Sequence, residues 1–252
     1  MVELVRSDFK VRYQGSVLGY AWSLLRPLLL FMVLYVIFAY IIPLGNDIEH
    51  FPVYLLSGII LWNFFSEATI QGLISIVAHG DLIRKVNVPK YILVFASTLS
   101  ALINLGFGLV VLLIFALING MVPSLGWLLA IVPILEMVAL CLGATFLLSS
   151  LYVKFRDITY IWEVFLQVGF YASMIIFPLT LVAEHLRHWF FINPVTQIIQ
   201  DVRYIIATHD SITIWSTVSP IQATIPFVII IVVGLIGVFV FKKRSKYFAE
   251  DI

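Results

Sequence analysis

Six apolar runs, each long enough to cross a lipid bilayer as a helix, constrain this chain more than anything else in it. They lie at about 23–43, 51–78, 90–118, 126–152, 158–182 and 222–241. A hydrocarbon core of about 30 Å takes roughly 20 helical residues. The runs are continuous and do not alternate, which argues for helices over strands. Backbone groups in lipid must also be satisfied within the segment that carries them. Only 12% of the 252 residues are charged and 62% are hydrophobic, whereas a soluble domain carries about 25% charged residues. So few charges could not cover the surface of a soluble protein of this size. The expected fold is therefore all-α: a polytopic membrane protein with six transmembrane helices in one domain over 1–252. The second, third and fourth runs exceed the length of a span and should tilt or project beyond the hydrocarbon.

Orientation follows from the loops, because Lys and Arg collect on the cytoplasmic side. With the N-terminus inside, the inner segments hold Arg6, Lys10, Arg12, Arg26, Arg84, Lys85, Lys90, Lys154, Arg156, Lys242, Lys243, Arg244 and Lys246. That leaves Arg187 and Arg203 outside, so both termini are expected in the cytoplasm. The net charge of +1 offers no overall field for nucleic acid. Residues 1–16 are amphipathic and charged and lack the layout of a cleaved leader, so insertion should rely on the first span.

Three pieces do not read as spans. In 2–13, Val2, Val5, Phe9 and Tyr13 share one helical face, opposite Glu3, Arg6 and Lys10; this predicts an amphipathic helix lying in the inner membrane surface. In the inner loop from His79 to Pro89, Asp81 can cap a short helix carrying Leu82, Ile83 and Val86 beside Arg84 and Lys85. A short helix with an apolar side and two cations makes a plausible docking knob. The segment 170–220 is too long and too apolar for a simple outer loop. Phe177-Pro178 should break the fifth helix, and Asn193-Pro194 opens a further run to Ala207. This predicts re-entrant helices between the fifth and sixth spans, buried in protein or lining a cavity.

The chain carries no Gly-rich phosphate loop, no H-E-x-x-H and no G-x-S-x-G. Its one cysteine, Cys141, lies in an apolar run, and His185 and His188 form an i, i+3 pair without a third ligand; neither catalytic residues nor a metal site are expected. The informative residues are polar ones within spans, where a charge costs about 2.5–3.5 kcal/mol and should face protein or water. Asn63, Glu67 and Gln71 are spaced by four in the second run, and Thr159, Glu163, Gln167 and Tyr171 repeat the pattern in the fifth. Glu136, Ser97, Ser100 and Asn104 add to them. Such residues line a path or hold helices together by hydrogen bonds. Aromatics within spans, including Tyr35, Phe38 and Trp62, could stack on sugar rings, while carboxylates and amides bind hydroxyls. A path with both suits a glycan, and Asn63, Glu67, Gln71, Trp62, Tyr35, Phe38, Glu163, Gln167 and Tyr171 are its candidates. The chain has no means of binding ATP, so transport against a gradient would need a partner.

The stretch Arg12-Tyr13-Gln14-Gly15-Ser16-Val17-Leu18-Gly19-Tyr20-Ala21-Trp22-Ser23-Leu24-Leu25-Arg26-Pro27-Leu28 closely resembles the opening of type-2 ABC exporter permeases, in the branch exporting O-antigen, teichoic acid and capsular polysaccharides. Lys154-Phe155-Arg156-Asp157-Ile158 resembles the R-D-I after the fourth span there. Asn193-Pro194 and the basic run ending Phe248-Ala249-Glu250-Asp251-Ile252 also fit. The resemblance covers the whole chain in order.

It implies an interface helix at 2–13, where Arg6, Lys10, Arg12 and Tyr13 would meet the lipid pyrophosphate. It implies a coupling helix at about 80–88 (Asp81, Leu82, Ile83, Arg84, Lys85, Val86) that docks on a nucleotide-binding ATPase subunit. An outer gate at 170–207 would involve Pro178, Asn193 and Pro194. Two copies of the chain would enclose the conduit in the bacterial inner (plasma) membrane. ATP and magnesium would sit on the partner subunit, with no cofactor on this chain, and the substrate would be a lipid-linked polysaccharide. The rival within the family is a drug or lipid exporter, which a narrow apolar pocket would favour. A partner-independent channel or secondary transporter would move its substrate without ATP. A membrane-embedded glycosyltransferase would need a carboxylate constellation at a membrane face, which the scattered glutamates do not supply.

Overall fold

A computed structural model describes residues 19, 21–42, 45, 48–85 and 89–248. The expected interface helix 2–13, with Arg6, Lys10, Arg12 and Tyr13, lies outside the described residues, as does Val86. Among the described residues all regular structure is helical. Helix α1 (Ala21–Val36) runs on into one π-helical turn, Ile37–Ile41. It is followed by α2 (Phe51–Ala78), α3 (Gly80–Lys85), α4 (Tyr91–Ile118), and α5 (Ile131–Lys154), which a 3-10 stretch Leu125–Ala130 precedes. Then come α6 (Ile158–Ala172), a 3-10 turn Leu179–Leu181, α7 (Glu184–Phe190), α8 (Pro194–Ile206), α9 (Ile214–Thr217), α10 (Pro220–Ala223) and α11 (Ile225–Arg244).

Among the described residues, five helical stretches are long and apolar enough to cross a membrane: Ala21–Ile41, Phe51–Ala78, Tyr91–Ile118, Leu125–Lys154 and Pro220–Arg244. The expected fifth run, 158–182, does not form a sixth. Its helix α6 has 15 residues, which at 1.5 Å per residue is about 22 Å, short of the roughly 30 Å core. The helix stops well before Pro178. Ser173 closes it, and Met174 takes a left-handed φ of 51° that no α-helix continues. From there the chain turns into an arm made of α7 to α10.

Helix α2 is the centre of the bundle. Its most apolar window is 78% buried, against 11% to 33% for the other four. An apolar helix surrounded by protein is a core helix, while the others keep apolar faces for lipid. Leu55, Leu56, Leu61, Phe64 and Ala68 carry much of that burial. Glycines set the approach of α11 to α5. A Cβ on Gly237 would fall on the carbonyl oxygen of Gly143, and one on Gly143 would lie 2.8 Å from Gly234 Cα. Without a hydrophobic drive between helices in lipid, close backbone approach at small residues supplies the packing.

The two ends of the bundle differ. At the basic end, Ile76, Ile83, Leu93, Val94, Phe146, Val153, Phe241 and Phe248 form a small apolar cluster. Lys90 donates to the Ser245 carbonyl and Arg244 Nη1 to that of Ser150 at 3.4 Å, which ties the end of α11 to its neighbours. The arm covers the opposite end. Replacing Gly237 with Leu should force α11 away from α5 and cost about 1–3 kcal/mol. A lower melting temperature of the detergent-purified protein, with Gly237→Ala intermediate between Leu and wild type, would register it.

Candidate functional site

The arm is anchored by charged and amide side chains that are rare in apolar surroundings. Helix α8 begins at an N-cap: the Asn193 Oδ1 accepts from the Val195 amide at 3.0 Å, and Pro194 occupies the first turn. Asn193 Nδ2 also donates to Ser173 Oγ at 2.9 Å, joining the start of α8 to the end of α6. Pro178 is buried and leads into the 3-10 turn. The three expected gate residues therefore lie at the joints of the arm.

One turn from the end of α8, Arg203 is fully buried. Its Nε donates to the Tyr54 carbonyl at 3.1 Å, one Nη to that of Met174 at 2.8 Å, and the other to that of Ile175 at 2.6 Å. Its guanidinium carbon stands 3.7 Å from the Tyr54 ring centroid, where the π face favours a cation. Gly58 makes the room, because a Cβ there would come 2.7 Å from an Arg203 Nη. Burial pulls the guanidinium's pKa down from its ordinary value, yet that value is so high that the group stays protonated. Three carbonyls replace its hydration. The same bonds satisfy Met174 and Ile175, whose carbonyls the broken α6 leaves without helical partners.

A second unit links α8 to α5. Gln197 Nε2 donates to Asp201 Oδ2 at 2.6 Å and lies 3.2 Å from Glu136 Oε2. Burial raises the Asp201 carboxyl from 3.8 to about 6; the Gln197 hydrogen bond opposes that rise and the nearby Glu136 charge adds to it. One amide thus holds two carboxylates side by side, and taking up a proton relieves their repulsion.

The path candidates separate into two groups. On α2, Glu67 Oε1 accepts from Gln71 Nε2 and from Asn104 Nδ2 of α4, each at 2.6 Å. This is an interhelical hydrogen-bonded unit of the kind that holds membrane bundles together. Asn63 is half-buried on the same helix. Trp62 is buried and packs on Phe65 and Phe170. Tyr35 stacks on Phe31 and Phe51, and Phe38 meets the edge of Phe177. On α6, Glu163, Gln167 and Tyr171 are exposed. The neighbouring face, Trp162, Leu166 and Phe170, turns to α2, and Trp162 Nε1 donates to Thr69 Oγ1 at 3.0 Å. The two polar stripes are not brought together within one chain: one bonds to α4 and the other faces outward.

At the basic end, α3 runs from Gly80, so Asp81 lies in its first turn rather than at its cap, where a negative charge suits the helix dipole. Ile83 is buried in the apolar cluster and Leu82 packs against it, while Asp81, Arg84 and Lys85 are exposed. Among the described residues, no three of His, Cys, Asp and Glu come together as a metal-binding group. Reading the sequence missed Gln197, Asp201 and Arg203 as site residues. Their signal was there in weak form: an amphipathic helix whose apolar set, Val195, Ile198, Ile199 and Val202, is interrupted by polar residues that share its burial.

The profile described as ABC-2 type transporter matches residues 1–207. The chain belongs to that family. Relatives match over nearly the whole ABC-2 chain. The O-antigen export system permease protein RfbA of Klebsiella pneumoniae is 26% identical over 252 residues, covering 99% of this chain and 93% of its own length. The protein of the same name from Myxococcus xanthus is 25% identical over 256 residues, covering 100% and 95%.

Two outcomes follow from this geometry. Arg203→Leu strands the carbonyls of Met174 and Ile175, each worth about 1–3 kcal/mol when buried unpaired. Arg203→Lys should recover little, since an ammonium lacks the fork that reaches three carbonyls; thermal melts of both variants against wild type test this. For Asp201, the folded pKa lies above the unfolded one, so between about pH 4 and 6 the folded chain binds more protons. Stability should therefore fall as pH rises through that window, by about 1–3 kcal/mol, and level off above it. In Asp201→Asn the melting temperature should lose this slope.

Proposed function

We propose that this chain is the membrane permease subunit of an ATP-driven exporter that moves a lipid-linked polysaccharide out of the cytoplasm. The observation carrying this reading is the near end-to-end likeness to two O-antigen export permeases from different bacteria, within a matched ABC-2 family. A helical bundle with long apolar spans supports it. In this reading the chain lies in the bacterial inner membrane, with the basic end and both termini in the cytoplasm. The cations Arg6, Lys10 and Arg12 attract the lipid pyrophosphate. The run 158–182 enters the membrane as α6 and returns through the arm as a re-entrant segment before α11 crosses.

Two copies enclose the conduit. The exposed stripe of α6, with Glu163, Gln167 and Tyr171, is then available to a path that a single copy does not enclose. Hydrolysis takes place on a separate nucleotide-binding subunit that holds ATP and magnesium. Helix α3 supports that coupling role: Ile83 roots it in the apolar cluster, while Asp81, Arg84 and Lys85 face solvent. A rigidly rooted helix transmits a push from its exposed side to the spans that flank it.

Depleting the chain should make lipid-linked polymer accumulate on the inner face while surface glycan falls, and an ATPase subunit should co-purify with it. Unchanged surface glycan on depletion would overturn the reading. Reversing both charges, Arg84→Glu with Lys85→Glu, should cut ATP-driven export about tenfold, equivalent to about 1.4 kcal/mol, with the protein still at normal level in the membrane. Export at the wild-type rate would remove α3 from the coupling role.

A further inference from the structure

We propose that a cleft at the arm end of the bundle binds one neutral sugar unit of the exported glycan; its assignment to glycan rests on the export reading above. The cleft has a volume of about 120 Å³, on the order of eight times the roughly 15 Å³ that a single water requires. It is built where the entry to α2, the turn after α6 and the end of α8 meet. Tyr54, Leu179 and Gln200 line it, each almost wholly buried, together with Glu49, Asp210 and Ser211.

Three features specify the ligand. First, the cleft has a buried polar wall with unused hydrogen-bonding capacity. Gln200 is 1% exposed and its side-chain amide nitrogen has no hydrogen-bond partner; the Ser211 hydroxyl is likewise unpartnered. A buried donor left unpaired costs about 1–3 kcal/mol, which a hydroxyl-bearing ligand would recover. Second, Glu49 and Asp210 contribute carboxylates, and no Lys or Arg is among the described residues of the lining. Such a rim repels phosphate or carboxylate ligands and accepts from hydroxyls. Third, Leu179, Pro178 and Tyr54 supply apolar surface. Apolar walls with a few convergent polar groups are the usual make-up of a small-molecule site, and a sugar ring presents both an apolar face and a fringe of hydroxyls.

The position gives the cleft a role. Tyr54 and the turn after α6 are the elements that Arg203 binds together. A sugar seated there would rest on the joint of the arm, and its departure would be linked to the movement of α8.

The test uses the full chain with its ATPase subunit in lipid vesicles, carrying Cys141→Ala and, at an exposed residue of the lining, Thr180→Cys, labelled by a membrane-impermeant maleimide. Neutral tetrasaccharides of the malto, manno and galacto series are the probes, and sialyllactose is the anionic control. At twice its Kd a bound ligand slows labelling about threefold, from 1 + [L]/Kd. Such slowing by a neutral tetrasaccharide but not by sialyllactose is expected. Gln200→Leu, and the exposed change Asp210→Ala, should each remove the protection, read as the ratio of that variant's own labelling rates without and with the sugar.

The site is overturned if no tetrasaccharide protects, if sialyllactose protects equally, or if Asp210→Ala is protected like the parent. Surface glycan in cells depleted of the chain is read in parallel. Protection in the vesicles with glycan unchanged on depletion keeps the sugar site and overturns the export reading; lost glycan without protection does the reverse.

Discussion

The guanidinium of Arg203 sits where three pieces of chain meet, and the shape of the arm depends on it. A buried charge is expensive in any apolar setting, and here the cost is offset by three carbonyls and an aromatic face. The arrangement works in both directions. Arg203 needs carbonyls that no helix is using, and Met174 and Ile175 supply them because α6 ends at Ala172. The break in α6 needs donors, and α8 supplies them. Removing either side leaves the other unsatisfied, so the broken helix and the folded-back arm stand or fall together.

The same rule, polar groups paired inside an apolar body, accounts for the other units. Glu67 is held by Gln71 and Asn104, and Glu136 and Asp201 are bridged by Gln197. Each ties two segments that the apolar effect alone would not hold in register, because lipid is as apolar as leucine. Close glycine contacts between α5 and α11 do the same work by shape. The basic end is different. There, aromatic packing around Phe146 and Phe241 roots α3, and the cations sit at the rim.

For function, this distribution separates rigid from adaptable parts. The core helix α2 is enclosed by the bundle, and the outward face of α6 is not. A permease of the ABC-2 family has to pass a substrate without losing its fold. Polar pairs buried between α2 and α4 preserve the frame, while residues on the face of α6 are free to meet something beyond one copy of the chain. The arm, joined to the frame through Arg203, Asn193 and Gln197, is the part whose attachments are few and specific.

Apolar run length and the charges between the runs determined the all-helical membrane architecture, because lipid demands satisfied backbone over about 20 residues wherever a chain crosses it. The opening motif at residues 12–28 was also enough to indicate the family. Tertiary structure decided where the fifth run stops. Pro178 marked a break in the sequence, but the chain turns at Met174, since the carbonyls there are claimed by Arg203 some 28 and 29 positions away. It also decided that Glu67 faces α4 while Glu163 faces outward, although both lie in stripes with the same spacing of four. Periodicity states which residues share a face; what that face meets depends on the neighbouring helix, and no local pattern carries that information.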